Sequence, residues 1–259
     1  LALGTFGMDI GAFTPFLFTF RDREGILKIF EKTCGARLLY NYMWVGGLSH
    51  DVHSDFVKDV KDFIKYFRPK IKEFNDLLTF NKIFIERTAN IGVLPPETAI
   101  NYGITGPNLR ASGVEFDLRR DDPYSIYDRF DFEIPVGEGK VGTVGDTWDR
   151  FYVRILEMEQ SLRIIEQAID NIPDGNVHEA IPKRIKPPKG TIYTRVENPR
   201  GELGYFIISE GKQQPFRIKV RGPSFVNLSV INELCKDHLV ADVVAILGSI
   251  DIVLGEVDR

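Results

Sequence analysis

Apolar positions repeat at helical spacing over several long stretches of the chain, and strand-like alternation takes over in its last third. Leu1 to Phe20 is apolar apart from a single charge, Asp9, and is long enough to cross a bilayer. Gly4, Gly7, Gly11, Pro15 and a mid-segment carboxylate make poor lipid-facing helix, however. The segment also runs on into Arg21-Asp22-Arg23-Glu24 and the amphipathic Ile26, Leu27, Ile29, Phe30 pattern. A buried core helix is the better reading. From Asp51 to Leu78, Val52, Phe56, Val60, Phe63, Phe67, Ile71, Phe74 and Leu78 recur at three- and four-residue steps, with Lys58, Lys61, Asp62 and Lys65 opposite. Pro69 should kink this helix or split it in two. Pro95-Pro96-Glu97 resembles a helix start, since proline fits the first turn and an acid favours the amino end. Asp146 to Ile172 carries the clearest stripe, through Trp148, Phe151, Tyr152, Ile155, Leu162, Ile165 and Ile169, and Pro173-Asp174-Gly175 ends it.

Between these helices, Asn101 to Gly145 breaks into glycine, proline and paired charges, with one short strand expected near Phe130–Ile134. After a proline- and lysine-rich connector, Ile181 to Gly190, three segments alternate like strands: Thr191–Val196, Gly204–Ser209 and Phe216–Val220. Glu210-Gly211-Lys212 reads as a hairpin turn. Two apolar helical segments follow, about Phe225–Leu234 and His238–Leu247. The expected fold is α+β, mainly α. A helical core spans residues 1–180, and residues 191–259 form a small antiparallel sheet with C-terminal helices, packed on that core as one unit.

Composition narrows the chemistry more than it names it. The chain of 259 residues has a net charge of −4, so it offers no basic field for nucleic acid. Cys34 and Cys235 are too few for a disulfide scaffold and fit a reducing compartment. Neither belongs to a Cys-x-x-Cys pair, and His50 and His53 beside Asp51 and Asp55 read as a solvated helix start rather than a ligand set. No metal site is expected. Gly103-Ile104-Thr105-Gly106-Pro107 and the glycines between Gly137 and Gly145 fit neither the dinucleotide fingerprint nor the P-loop. No base is placed beside Cys34, which leaves nucleophilic catalysis unsupported. The chain begins at Leu1 without a methionine, inside an apolar segment, and reads as a fragment with sequence missing upstream.

Two features stand out against this bland background. On a helix Thr5 and Asp9 share a face with Ala12, Phe13 and Phe16, so the Asp9 carboxylate is expected to be desolvated and its proton affinity raised unless a cation or donor compensates. It is either a structural carboxylate or a functional one; spacing does not choose. Ile246 to Leu254 is apolar except for Ser249 and Asp251, so the tail Gly255-Glu256-Val257-Asp258-Arg259 is expected to dock rather than fray.

The same residues carry a resemblance. Leu3-Gly4-Thr5, Asp9-Ile10-Gly11-Ala12, Thr14-Pro15-Phe16, Leu109-Arg110-Ala111-Ser112-Gly113, Arg200-Gly201-Glu202-Leu203-Gly204, Pro223-Ser224-Phe225-Val226-Asn227-Leu228 and Gly248-Ser249-Ile250-Asp251-Ile252-Val253 on to Arg259 are similar, in order, to motifs of the D-subunit family of NADH:quinone oxidoreductase, respiratory complex I. That family is related to the large subunit of nickel–iron hydrogenases, so the resemblance implies a hydrogenase-like helical core. Those enzymes hold their metal with two cysteine pairs, the second near the C-terminus; here that end reads Gly255-Glu256-Val257-Asp258-Arg259, which excludes hydrogenase chemistry.

The resemblance implies a core subunit that forms part of a quinone cavity. Quinone is the substrate, and the terminal iron–sulfur cluster belongs to a partner subunit. A C-type subunit and membrane-arm subunits are the further partners. The implied place is peripheral, on the cytoplasmic side of a bacterial inner membrane or the equivalent organelle membrane. By motif position Thr5, Asp9, Val253 and Asp258 match quinone-site positions, with Asp9 the proton-relay candidate. Three departures accompany the match. The family's headgroup histidine and tyrosine lie upstream of the Asp9 motif and are absent. Leu39 and Trp44 stand where a histidine and an arginine are usual. The connector before Lys189-Gly190 is shorter than usual and lacks a customary helical insert. A related ferredoxin- or F420-dependent oxidoreductase, or a scaffold that binds no quinone, are the alternatives.

Overall fold

The computed structural model describes residues 1–182 and 184–258, so Lys183 in the connector and Arg259 at the end of the tail lie outside the described residues. The apolar N-terminal segment is not one helix. It forms α1 (Ala2–Asp9) and α2 (Phe13–Cys34), separated by a tight corner. Gly11 sits at φ +98°, a conformation that glycine adopts without the steric cost other residues bear, and the Gly11 and Ala12 N–H groups bond back to the Met8 and Gly7 carbonyls. Leu3 and Phe6 of α1 are buried, whereas Phe13 and Leu17 at the start of α2 are more than half exposed. No helix among the described residues is long and apolar enough to cross a membrane.

A two-strand hairpin, β1 (Met43–Trp44) and β2 (Gly47–Leu48), precedes α3 (Phe56–Phe74). This helix starts later than its apolar repeat. Pro69 lies inside it without splitting it, and a π-helical turn, Asn75–Thr79, follows. One missing backbone bond is outweighed by the buried face of Val60, Ile64 and Phe74, each side chain contributing about 1.5–3 kcal/mol. Short helices α4 (Lys82–Thr88), α5 (Pro96–Asn101), α6 (Pro107–Ala111) and α7 (Leu118–Asp121) lead to α8 (Thr147–Asp170). The strand expected near Phe130 is absent; a 3-10 turn at Tyr127–Arg129 passes into extended chain, whose Asp131 and Glu133 N–H groups are taken by Gln167 and Gln160 of α8.

Three strands, β3 (Gly190–Asn198), β4 (Gly201–Ser209) and β5 (Arg217–Arg221), form an antiparallel sheet in chain order. Val196 pairs with Leu203, and Ile207 with Ile218. Four helices close the chain: α9 (Pro223–Leu228), α10 (Ile231–Leu234), α11 (Val240–Ile250) and α12 (Leu254–Val257). The architecture is α+β with small antiparallel sheets.

Two apolar clusters meet at α11. One gathers Leu3, Phe6, Phe74, Leu78, Phe84, Trp148, Phe151, Ile155 and Ala245. The other gathers Leu94, Ala99, Ile104, Leu109, Val230, Leu234, Ile246 and Ile250. Neighbouring residues Ala245 and Ile246 thus face different clusters, and both are fully buried. That double burial fixes α11 between α1 and the later helices, so the chain leaving α11 has a fixed starting point.

Candidate functional site

Thr5 and Asp9 stand one turn apart on α1, as their spacing requires. The Thr5 hydroxyl is turned back onto its own helix, 3.0 Å from the Ala2 carbonyl and 3.2 Å from that of Leu1. Asp9 is the last residue of the helix and its side chain is exposed, so the expectation of a desolvated carboxylate fails within this chain. The reason is the Gly11 corner: α1 ends before the helix can carry Asp9 under α2. Among the described residues the Asp9 carboxylate has no hydrogen bond or ion pair. It does have a close neighbour. A β-carbon built on Gly248 of α11 would stand 3.5 Å from Asp9 Oδ2 and 2.6 Å from Phe6 Cδ2. Glycine at 248 is what lets α11 lie against α1 at this point.

The carboxyl end of α11 is held by cations. Arg154 Nη1 donates to the Ser249 carbonyl at 2.9 Å, and Nη2 donates to that of Ile250 at 3.2 Å. Asn108 adds a bond to the Ile250 carbonyl at 3.1 Å. The last carbonyls of a helix lack internal partners and carry partial negative charge, so guanidinium groups are well matched to them. Arg150 donates to Ser249 Oγ at 2.8 Å and otherwise meets only neutral oxygens, those of Gly92, Gly145 and Thr147. Burial without a bonded carboxylate pushes its guanidinium down to about 10. Asp251 then turns the chain in a left-handed conformation, φ 58° and ψ 54°, gripped by Arg200 through its carbonyl at 2.9 Å and its carboxylate at 3.2 Å.

Beyond this clamp the tail docks on α9. Val253 donates its N–H to Ser224 Oγ at 3.2 Å, Ser224 Oγ donates to the Glu256 carboxylate, and the Ser224 N–H donates to Glu256 Oε2 at 3.0 Å. The Val253 side chain is 39% exposed, and Asp258 is exposed at the end of α12. The tail expected to dock, Gly255 to Arg259, is held at Glu256, while Gly255 and Asp258 are exposed; Arg259 lies outside the described residues. Sequence reasoning missed the residues that do the docking. Ser224, Arg200 and Glu256 were visible only as motif letters, because a polar residue's partner in space leaves no periodic trace.

A cavity of about 670 Å³ opens elsewhere. Leu1, Leu3, Phe63, Phe67 and Met158 form its apolar wall and Arg110, Arg154 and Asp251 its polar one; Thr5, Asp9, Val253 and Asp258 do not line it. At its edge Arg110, 2% exposed, meets Glu157 at 2.7 Å, Glu197 at 3.0 Å and Asp117 at 3.4 Å. Burial opposes the charge on Arg110, and the carboxylates outweigh it, raising the guanidinium above its ordinary value. Burial pushes the Glu197 carboxyl up despite its arginine neighbour. His50 and His53 are engaged with the Thr33 carbonyl and with Asp59. Among the described residues no three His, Cys, Asp or Glu side chains gather to hold a metal.

Known proteins bear on what surrounds Asp9 and the tail. The family model of the 49 kDa subunit of respiratory-chain NADH dehydrogenase matches residues 9–186 and 178–259. The chain belongs to that family. It is 58% identical over 263 residues to the NADH-quinone oxidoreductase D subunit of Pelodictyon phaeoclathratiforme, a match covering 100% of this chain and 66% of the relative. It is 59% identical to the corresponding D subunit of Chlorobium chlorochromatii, with the same coverage. To the D subunit numbered 1 of Cytophaga hutchinsonii it is 55% identical, covering 100% of this chain and 68% of that one. The chain thus spans about two thirds of the length of these relatives. Asp9 and the tail both fall within the matched residues.

Proposed function

We propose that this chain is a core subunit of a proton-translocating NADH:quinone oxidoreductase and forms part of its quinone-binding cavity. The observation that carries the reading is the shared seat of its two candidate segments: α1, ending at Asp9, lies against Gly248 of α11, and the tail leaves that same end of α11. Thr5 and Asp9 on one side, with Val253 and Asp258 on the other, then form one wall of the cavity. The helical core is of the nickel–iron hydrogenase large-subunit type, with residues 191–259 packed on residues 1–180 as one unit. The terminal iron–sulfur cluster sits in a neighbouring subunit and delivers electrons. A C-type subunit and membrane-arm subunits complete the assembly, on the cytoplasmic side of a bacterial inner membrane or the equivalent organelle membrane.

In this reading the chain supplies position and a proton. Reduction of a quinone to a quinol takes up two electrons and two protons, so an acid beside the ring is a sensible local donor. Exposed here, Asp9 is covered by the partner surfaces of the assembly, and the lower dielectric there ties its charge closely to its neighbours. Photolabelling the intact complex with an azidoquinone tests the assignment. Labelled peptides should contain Thr5–Asp9 and residues 253–258. Labelling that spares both segments would instead make the chain a scaffold.

A further inference from the structure

Ser224 joins two segments the sequence keeps apart, and we infer that it is a positioning residue for Val253 in the quinone wall, an inference that rests on the function proposed above. It is 1% exposed and lies second in α9, after Pro223. A serine hydroxyl has one proton to give and lone pairs to accept with. Here the proton goes to the Glu256 carboxylate, and a lone pair takes the Val253 N–H at 3.2 Å. The Ser224 backbone N–H reaches the same carboxylate at 3.0 Å. One side chain therefore fixes both the backbone at Val253, where α12 is about to begin, and the carboxylate in that helix's first turn.

The site is built for this contact. A β-carbon on Gly222 would stand 2.8 Å from Glu256 Cγ, so glycine there leaves the room in which the glutamate lies. Gly222, not Ser224, is the capping position of α9, and glycine has no side chain with which to cap. The orphan N–H of Ser224 is satisfied instead by the Glu256 carboxylate brought in from the tail, the acceptor such a helix start calls for. Upstream, Arg154 and Arg200 hold Ser249 to Asp251. With both ends fixed, the partly exposed Val253 side chain has one direction in which to point. Removing the Ser224 hydroxyl leaves the Val253 N–H without its acceptor and the Glu256 carboxylate held by the Ser224 N–H alone, so the Val253 side chain is less firmly placed.

Steady-state kinetics of the intact membrane complex decide the matter. Ser224→Ala should raise the KM for quinone about five- to tenfold, the scale set by the lost Val253 N–H bond, and leave kcat within about twofold. Oxidation of NADH by ferricyanide should be unchanged, which a general loss of assembly would not permit. Glu256→Gln keeps an acceptor for the hydroxyl and should stay near the parent KM. Glu256→Ala frees the hydroxyl to turn but leaves it as the acceptor for the Val253 N–H, so it should raise the KM by less than Ser224→Ala does, and the double variant should stay close to Ser224→Ala. Val253→Ala probes the quinone wall separately. A raised KM in Val253→Ala with an unchanged KM in Ser224→Ala overturns the positioning role and leaves the quinone site standing. No change in either overturns the quinone reading itself. Should Ser224→Ala fail to assemble, the Glu256 pair decides: equal KM values for the glutamine and alanine variants contradict the inference.

Discussion

The carboxylate of Asp9 lies against Gly248, so the end of the first helix and the end of α11 meet at a point where no side chain intervenes. Substituting Gly248→Ala would drive a β-carbon to 2.6 Å from Phe6 Cδ2, inside the buried apolar cluster that Phe6 shares with Phe84 and Phe151. Overpacking of this kind typically costs about 1–3 kcal/mol, and in a helix the higher propensity of alanine returns about 1 kcal/mol of it. Denaturant unfolding should show a net loss of stability. A gain would mean that α1 and α11 do not touch as described.

Acid should weaken the fold through the cluster at the cavity edge. Asp117 is 1% exposed; burial alone raises its carboxyl, but the paired Arg119 and nearby Arg110 outweigh burial and hold it below the ordinary range. A carboxyl depressed in the folded state contributes stability that is present above its unfolded value, about 3.9, and is lost as pH falls through the lower folded value. Glu197, raised by burial, acts in the opposite sense and favours the fold as it takes up its proton. Asp117→Asn isolates the first contribution. Below about pH 4 its stability should fall less steeply than that of the parent chain, while at pH 7 it should be the less stable of the two. Parallel pH profiles would contradict the assigned ion pairs.

What the sequence disclosed follows from which forces are periodic. The α8 stripe through Trp148, Phe151 and Ile155 predicted residues 146–172 and the helix occupies Thr147–Asp170, because one apolar face against one core writes itself into the chain. The β3–β4–β5 sheet was equally readable from alternation and the turn at Gly211. Leu1 to Phe20 misled, since hydropathy alone does not show that Gly11 folds the segment back before Asp9 can be buried. Near Phe130, apolar residues suggested a strand, but Gln160 and Gln167 take the backbone donors a partner strand would have used. The resemblance singled out Asp9 and Val253 as candidates. The Arg154, Arg200 and Ser224 clamps that hold their surroundings are contacts across many residues, and they became legible only in three dimensions.

Whether Asp9 faces quinone and passes it a proton is tested by Asp9→Asn in the intact membrane complex. Asparagine keeps the size of the side chain but cannot cycle a proton at any working pH. NADH:quinone turnover should slow, by about 10²-fold or more if proton delivery becomes limiting, with full assembly and unchanged NADH:ferricyanide activity. Turnover equal to that of the parent complex would contradict that proton transfer.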